Sequence, residues 1–141
     1  MKMLKYSTIL VLASLLLACN SESENNALDS SCNENKPCNY SGGYEISLAN
    51  ELITPEDEFI IQFKAPKHIK INQAKLEGLN MYMGSIPLLF EYKNGNWQSK
   101  AMVGACAEPI MQWQLSLDFI DQTSPEHKKP ITLIYNLTSQ Y

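Results

Sequence analysis

Sulfur-bearing side chains are concentrated in one part of this chain. Beyond residue 3, the methionines are Met81, Met83, Met102 and Met111, and Cys106 lies between the last two. Thiolate and thioether sulfur are the ligands that select Cu(I), and a site built from them needs no acid or base. Met81, Met83, Cys106 and Met111 are therefore the candidate ligands of a Cu(I) site.

A structural role is the alternative for the same methionines, because methionine commonly fills gaps in protein cores. Side chains two positions apart point to one face of a strand, so Met81 and Met83 would share a face. The apolar parity of the sequence changes at Gly78, which predicts a β-bulge that re-aims these two side chains. Core and ligand roles stay open for both, whereas we assign Met102 to the core.

Cys106 can serve as a ligand only as a free thiol. Cys32 and Cys38 lie close together in a polar stretch, and in an oxidising compartment we expect them to form a small disulfide loop. A bond from Cys106 to either of them is the alternative, and it would remove the thiol from the site. The histidines His68 and His127 are expected in solvated loops rather than at the metal.

The composition argues against several classes of function. The chain has 141 residues, which suits one domain, and its formal net charge is −4. All 11 of its cationic residues are lysines, whereas bidentate contacts with phosphate or guanine usually use arginine. We therefore expect no nucleic-acid partner. The sequence has no glycine-rich phosphate loop, nucleophile elbow or HExxH motif, so we predict a protein that is not an enzyme.

The N-terminus predicts export. A short basic start precedes an apolar run from Ile9 to Ala18, which is too short to span a bilayer. The run closes as Leu-Leu-Ala before Cys19, which resembles the bacterial lipoprotein signal. That resemblance implies cleavage after residue 18 and acylation of Cys19. An ordinary secretory signal is the alternative.

An acylated Cys19 would make the membrane the first partner of this protein, because several acyl chains hold a protein firmly at a bilayer. The next residue, Asn20, is not the aspartate associated with retention at the inner membrane. We therefore expect a protein anchored to the bacterial outer membrane and facing the periplasm. Cleavage also removes two lysines and no acid, so the formal charge of −4 becomes more negative by two.

The remaining chain divides into two parts. Residues 19–39 comprise the lipidated cysteine and a stretch nearly free of large apolar side chains, which predicts a flexible polar tether. Residues 40–141 contain short runs of alternating polarity, including Ile86 to Tyr92, and Asn94-Gly95 is a strong hairpin signal. About seven strands are expected. The predicted fold is all-β, an antiparallel immunoglobulin-like β-sandwich.

Three short motifs resemble the YtkA-like/FixH-like group of small envelope β-sandwich domains, over about Ala74 to Phe119. They are Asn80-Met81-Tyr82-Met83-Gly84, Asn94-Gly95-Asn96-Trp97 and Met111-Gln112-Trp113-Gln114-Leu115. The resemblance implies an immunoglobulin-like domain linked to copper handling or cytochrome oxidase assembly, with roles for Met81, Met83 and the Met111/Trp113 region. Cys106 has no counterpart in that pattern. The chain also lacks a His-rich or Met-rich tail for copper storage.

Two functions remain from the sequence. The first is a lipid-anchored periplasmic Cu(I)-binding protein, serving as a copper chaperone or an oxidase-assembly accessory. The second is a metal-free envelope module, such as an inhibitor, an immunity protein or an assembly accessory, that binds a periplasmic or membrane protein. Convergence of the sulfur atoms near the surface would favour the first function. Separate packing of Met81 and Met83 in the core would favour the second.

Overall fold

Two packed β-sheets make up the described part of the protein. The computed structural model describes residues 27–28, 32–123 and 130–141, and within these ranges it has ten strands and no helix, so none that could cross a bilayer. The expected all-β sandwich is confirmed. The strands are β1 (Ala27–Leu28), β2 (Cys38–Tyr40), β3 (Tyr44–Leu48), β4 (Phe59–Lys64), β5 (Ile69–Gly78), β6 (Ser85–Pro87), β7 (Glu91–Lys93), β8 (Asn96–Ala101), β9 (Ile110–Asp121) and β10 (Ile131–Gln140).

Each sheet has five described strands. The first sheet has the order β1-β10-β9-β5-β6, and the second has the order β2-β3-β4-β8-β7. All neighbouring strands are antiparallel except β1, which runs parallel to β10. The predicted strand number of about seven was too low because β1 and β2 are only two and three residues long, and because one predicted strand is divided in two.

The divided strand is the run from Ile86 to Tyr92. β6 pairs with β5 in the first sheet, whereas β7 pairs with β8 in the second, so the chain changes sheets between them. Leu88 is buried in the crossing segment and its N–H donates to the Ala74 carbonyl at 2.9 Å, while Leu89 is exposed. Alternation continues through the crossing because both sheets point their inner residues at one core. Sequence alternation therefore cannot reveal the change of sheet.

The core lies between the sheets and is built from alternate residues of the long strands. The rings of Tyr44, Phe63 and Phe119 form a cluster in which Tyr44 and Phe119 have centroids 4.8 Å apart. Trp113 is fully buried, and its Nε1 donates to Ser139 Oγ at 3.1 Å. Each fully buried large apolar side chain stabilises the fold by about 1.5–3 kcal/mol. Leu76, Met111, Leu115, Leu117, Leu133 and Leu137 are also fully buried.

The β-bulge predicted at Gly78 lies elsewhere. The pairing of β5 with β9 shifts register between Ile71 and Gln73, and β5 then continues regularly to Gly78. A β-carbon added to Gly78 would lie 2.7 Å from the Met81 carbonyl oxygen, so the chain folds back tightly there. The glycine marks the end of the strand. Met81 and Met83 consequently lie outside any strand, whereas their spacing predicted that they would share one face of a strand.

The sandwich begins before residue 40, where the sequence placed its boundary. Cys32 and Cys38 are joined by a disulfide with a Cα–Cα distance of 5.6 Å, and Cys38 is fully buried in β2. Residues 32–39 therefore belong to the domain although their composition is that of a tether. Most of their polar side chains are exposed, but the Asn35 side chain bonds to backbone groups of the domain. The predicted signal of residues 1–18, the acylation site Cys19 and His127 lie outside the described residues.

Asn35 fastens this segment to β10 and to the loop between β3 and β4. Its Nδ2 donates to the carbonyls of Glu51 and Thr138 at 2.8 and 2.9 Å, and its Oδ1 accepts from the Thr138 N–H at 2.8 Å. Asn35 has φ 61°, in the left-handed region that asparagine tolerates better than most residues. Nearby, the Tyr135 hydroxyl donates to the Lys36 carbonyl at 3.0 Å, and burial raises the pKa of Tyr135.

Two substitutions of Asn35 separate the contribution of its side-chain hydrogen bonds from that of its left-handed backbone conformation. We expect Asn35→Gly to lower the free energy of unfolding by about 2 kcal/mol, because the side-chain hydrogen bonds are lost while the backbone conformation is tolerated. Asn35→Ala should cost about 1 kcal/mol more because alanine disfavours the left-handed region. Urea denaturation measures both, with the exposed Asn33→Ala as control. Parental stability of the two Asn35 variants would contradict the assignment.

Candidate metal site

One end of the sandwich carries the predicted ligands, and we call it the Met–Cys end. It is formed by two segments without regular secondary structure, Leu79–Gly84 and Met102–Pro109, and by the adjacent ends of β9 and β10. The pairing of Gln140 with Ile110 and of Gly78 with Trp113 places these strand ends side by side. The topology therefore brings Met81, Met83, Cys106 and Met111 to the same end of the fold.

Asn80 holds the first of these segments on β9. Its Nδ2 donates to the Ile110 carbonyl at 2.9 Å, and its Oδ1 accepts from the Gln112 N–H at 3.0 Å. The Leu79 N–H also donates to the Gln112 carbonyl at 2.8 Å. These three bonds hold the segment to the backbone of Ile110 and Gln112, on either side of Met111. The Met81 segment is thus positioned by a fixed strand rather than left as a free loop.

Met81 and Met83 turn inward although they are outside any strand. Both are partly exposed and pack against the core, whereas Tyr82 between them is 100% exposed. A β-carbon added to Gly104 would lie 2.9 Å from Met83 Cε and would meet no other group within 4 Å. The thioether of Met83 therefore lies against the backbone of the segment that carries Cys106.

Cys106 is the free cysteine of the described residues. It is partly exposed and also packs against the core. Because Cys32 and Cys38 bond to each other, neither of them takes up the Cys106 thiol. The alternative pairings considered from the sequence are absent from this structure. The thiol therefore lies at the same end of the sandwich as Met81 and Met83.

The other two methionines occupy opposite environments. Met111 is fully buried in β9, so a metal ion bound by its sulfur would have to lie beneath the surface. Met102, which we assigned to the core, is 54% exposed. The assignment was wrong because Ala101 and Val103 on either side are the buried residues, and the side chain between them points outward.

Acidic residues surround the Met–Cys end. The Glu56 N–H donates to the Val103 carbonyl at 2.8 Å, which brings the acidic run Glu56–Glu58 beside Met102 and Gly104. Glu108 is exposed two residues beyond Cys106. Glu58 accepts from Lys100 at 2.7 Å and raises the pKa of that ammonium group. This distribution of charge attracts cations to the end that carries the candidate ligands.

Histidine, cysteine and carboxylate groups do not assemble a metal-binding cluster in the described part of the chain. No three His, Cys, Asp or Glu side chains lie together there as a metal-binding group. His68 lies at the opposite end of the sandwich, where its Nε2 is 3.2 Å from Asp121 and 3.3 Å from the Thr123 hydroxyl. His68 is an exposed residue, as expected, and it is remote from the candidate ligands.

Comparison with known proteins identifies no relative of this chain. The chain matches no protein-family model, no curated protein and no solved structure. The resemblance to YtkA-like/FixH-like domains therefore rests on short motifs alone.

Two features of the site were not anticipated from the sequence. The first is the clamp made by Asn80, and the second is the contact between Gly104 and Met83. Asn80 flanks the Met-x-Met motif in sequence, but its partners on β9 are 30 and 32 residues away. A polar residue beside a strand end carries no signal of so distant a partner. Gly104 likewise gives no sequence signal of the side chain that it accommodates.

The two glycines of this end should respond differently to a methyl group. In Gly78→Ala the new β-carbon meets the Met81 backbone, so we expect a loss of about 1–3 kcal/mol in the free energy of unfolding. In Gly104→Ala it meets only the flexible end of Met83, so stability should change by less than about 1 kcal/mol. Chemical denaturation compares them. Equal stability of the two variants would contradict the described contacts.

Proposed function

We propose that this protein binds Cu(I) at the Met–Cys end and is held at the bacterial outer membrane by an acylated Cys19. One observation carries the metal proposal: Met83 Cε lies against Gly104, in the segment that presents the free Cys106 thiol. Two methionines and a cysteine from distant parts of the sequence thus come to one end of the fold, partly exposed.

The chemistry of these groups suits a soft monovalent ion. Thiolate and thioether sulfur prefer Cu(I), whereas zinc sites use charged thiolates, imidazoles and carboxylates. Cys106 would supply the anionic sulfur, and Met81 and Met83 would supply neutral ligands from the clamped segment. Met111 would complete the set from the buried side. The Asn80 hydrogen bonds reduce the cost of ordering the segment, which supports a preformed site.

The proposed role is that of a copper chaperone or an oxidase-assembly accessory. Partial exposure of Cys106, Met81 and Met83 leaves the ligands within reach of a partner's sulfur atoms. The acidic surroundings would raise the local concentration of cations. The lipoprotein-like N-terminus supports a position at the envelope, where an oxidising compartment is compatible with the Cys32–Cys38 disulfide.

A metal-free interaction module is the second candidate. The same end exposes Leu79 and Ile110 by about half, and Tyr82 completely. The Asn80 clamp holds the segment that carries Leu79 and Tyr82 against β9, so these apolar groups form a fixed surface. Such a surface fits a protein partner without any metal. Metal titration separates the two functions.

The metal proposal predicts that the chain beginning at Ser21, with the Cys106 thiol reduced and the Cys32–Cys38 disulfide intact, binds one Cu(I) ion and binds Zn(II) weakly. We expect Cys106→Ser to lower the Cu(I) affinity by about 100-fold or more, since it removes the anionic ligand. Met81→Leu, Met83→Leu and Met111→Leu should each lower it by about tenfold. Competition with a chromophoric Cu(I) chelator measures these affinities.

The matched control for the titration is Met102→Leu. Met102 has the same type of side chain, but it points to solvent next to the buried Val103, so its replacement should leave Cu(I) affinity unchanged. Absence of Cu(I) binding, or parental affinity of both the Cys106 and the Met81 variants, would contradict the copper proposal. The interaction module would then take its place.

The anchor proposal makes a separate prediction about location. The exported protein should partition with the outer membrane and into detergent, and Cys19→Ser should release it or leave it unprocessed, because no acyl chains remain to hold it. Fractionation of bacterial cells and mass spectrometry of the N-terminus measure this. Recovery of an unmodified chain that retains residues 1–18 from the cytosol would contradict the anchor.

A further inference from the structure

The end opposite the Met–Cys end receives the N-terminal chain, and we call it the tether end. It comprises the β2–β3 turn at residues 41–43, the β4–β5 turn at residues 65–68, the hairpin at Asn94–Gly95 and the start of β10. β1 pairs with β10 there, with Ala27 opposite Thr132 and Leu28 opposite Leu133. β10 then runs about 26 Å from Thr132 to Gln140 at the Met–Cys end.

The length of the preceding chain limits where an anchor can lie. Eight positions separate Cys19 from Ala27, and a chain of that length spans at most about 28 Å when fully extended. To bring the Met–Cys end to the bilayer, this chain would have to extend along almost the whole sandwich. Bringing the tether end to the bilayer requires no such extension.

Among the described residues the two ends differ in their balance of charge, since the tether end is close to neutral and the Met–Cys end is acidic. At the tether end, Lys67 and Lys70 are exposed and have no acidic partner among the described residues, while Lys64, Lys93 and His68 face Glu45, Glu91 and Asp121. A fourth acid of this end, Asp118, accepts a hydrogen bond from the Thr132 hydroxyl at 2.6 Å. At the Met–Cys end, two lysines accompany a larger set of acids. The acids are Glu34, Glu51, Glu56, Asp57, Glu58 and Glu108, and the lysines are Lys36 and Lys100.

Two aromatic side chains accompany the lysines of the tether end. Tyr92 and Trp97 are partly exposed and pack edge to face, with ring centroids 5.4 Å apart. The Lys67 ammonium lies 6.0 Å from the Tyr92 ring, and Trp97 Nε1 donates to the Pro66 carbonyl at 3.3 Å. Tryptophan and tyrosine are favoured at the boundary between lipid headgroups and water.

We propose that the tether end lies against an anionic lipid surface, so that the Met–Cys end points away from the membrane. This inference rests on the acylation of Cys19 that belongs to the proposed function. A lysine near an anionic bilayer strengthens its binding by about fivefold. The acidic Met–Cys end is repelled by the same surface. Tether position and charge therefore favour the same orientation.

The test uses the acylated protein in vesicles of phosphatidylcholine, with or without phosphatidylglycerol, that carry a nitroxide-labelled headgroup. A fluorophore is attached at Ser41→Cys in the tether end or at Ala107→Cys in the Met–Cys end, each with Cys106→Ser. We expect several-fold stronger quenching at position 41 than at position 107 in the anionic vesicles. The triple variant Lys64→Gln, Lys67→Gln, Lys70→Gln should reduce this difference.

A matched triple variant removes the same charge elsewhere: Lys36→Gln, Lys75→Gln, Lys100→Gln should preserve the difference. Equal quenching of the two labels on floated vesicles would overturn the orientation while leaving the anchor intact. An equal effect of the two triple variants would overturn the role assigned to the tether-end lysines. Failure of the protein to float with vesicles would instead contradict the anchor, and the orientation with it.

Discussion

The structure depends on the pairing of β9 with β10 on one side and with β5 on the other. β9 is the longest strand, and its inward residues from Met111 to Phe119 are fully buried at every second position. Its first residues also accept the Asn80 clamp, so the backbone that forms the core also positions the candidate ligands. Damage to the start of β9 would therefore affect stability and the site together.

Regular alternation made much of this fold predictable. The long strands β5, β9 and β10 alternate in polarity because each lies on one sheet with one buried face, and the left-handed Asn94 and Gly95 produce the expected hairpin. The segments that were predicted wrongly are not strands that lie on one sheet with one buried face. Residues 32–39 are polar, yet the disulfide and the Asn35 hydrogen bonds join them to the domain. The run from Ile86 keeps its parity while it changes sheets.

The candidate site was predictable only as a set of residue types. The sequence grouped Met81, Met83 and Cys106, but their common location depends on pairings between distant strands and on the turn at Gly78. Burial also divided the methionines in a way that spacing did not, since Met111 is enclosed and Met102 points to solvent. Methionine suits both environments because its flexible thioether is apolar and polarisable.

The parallel pairing of β1 with β10 has a mechanical consequence. A pull on the N-terminal chain from the tether end is directed along β10, so the hydrogen bonds between the two strands are loaded together in shear instead of opening one after another. Beyond β1, the covalent bridge from Cys32 to Cys38 would pass the remaining force to β2 in the other sheet. Traction on the N-terminal chain would thus be opposed by the β1–β10 hydrogen bonds and then by the disulfide.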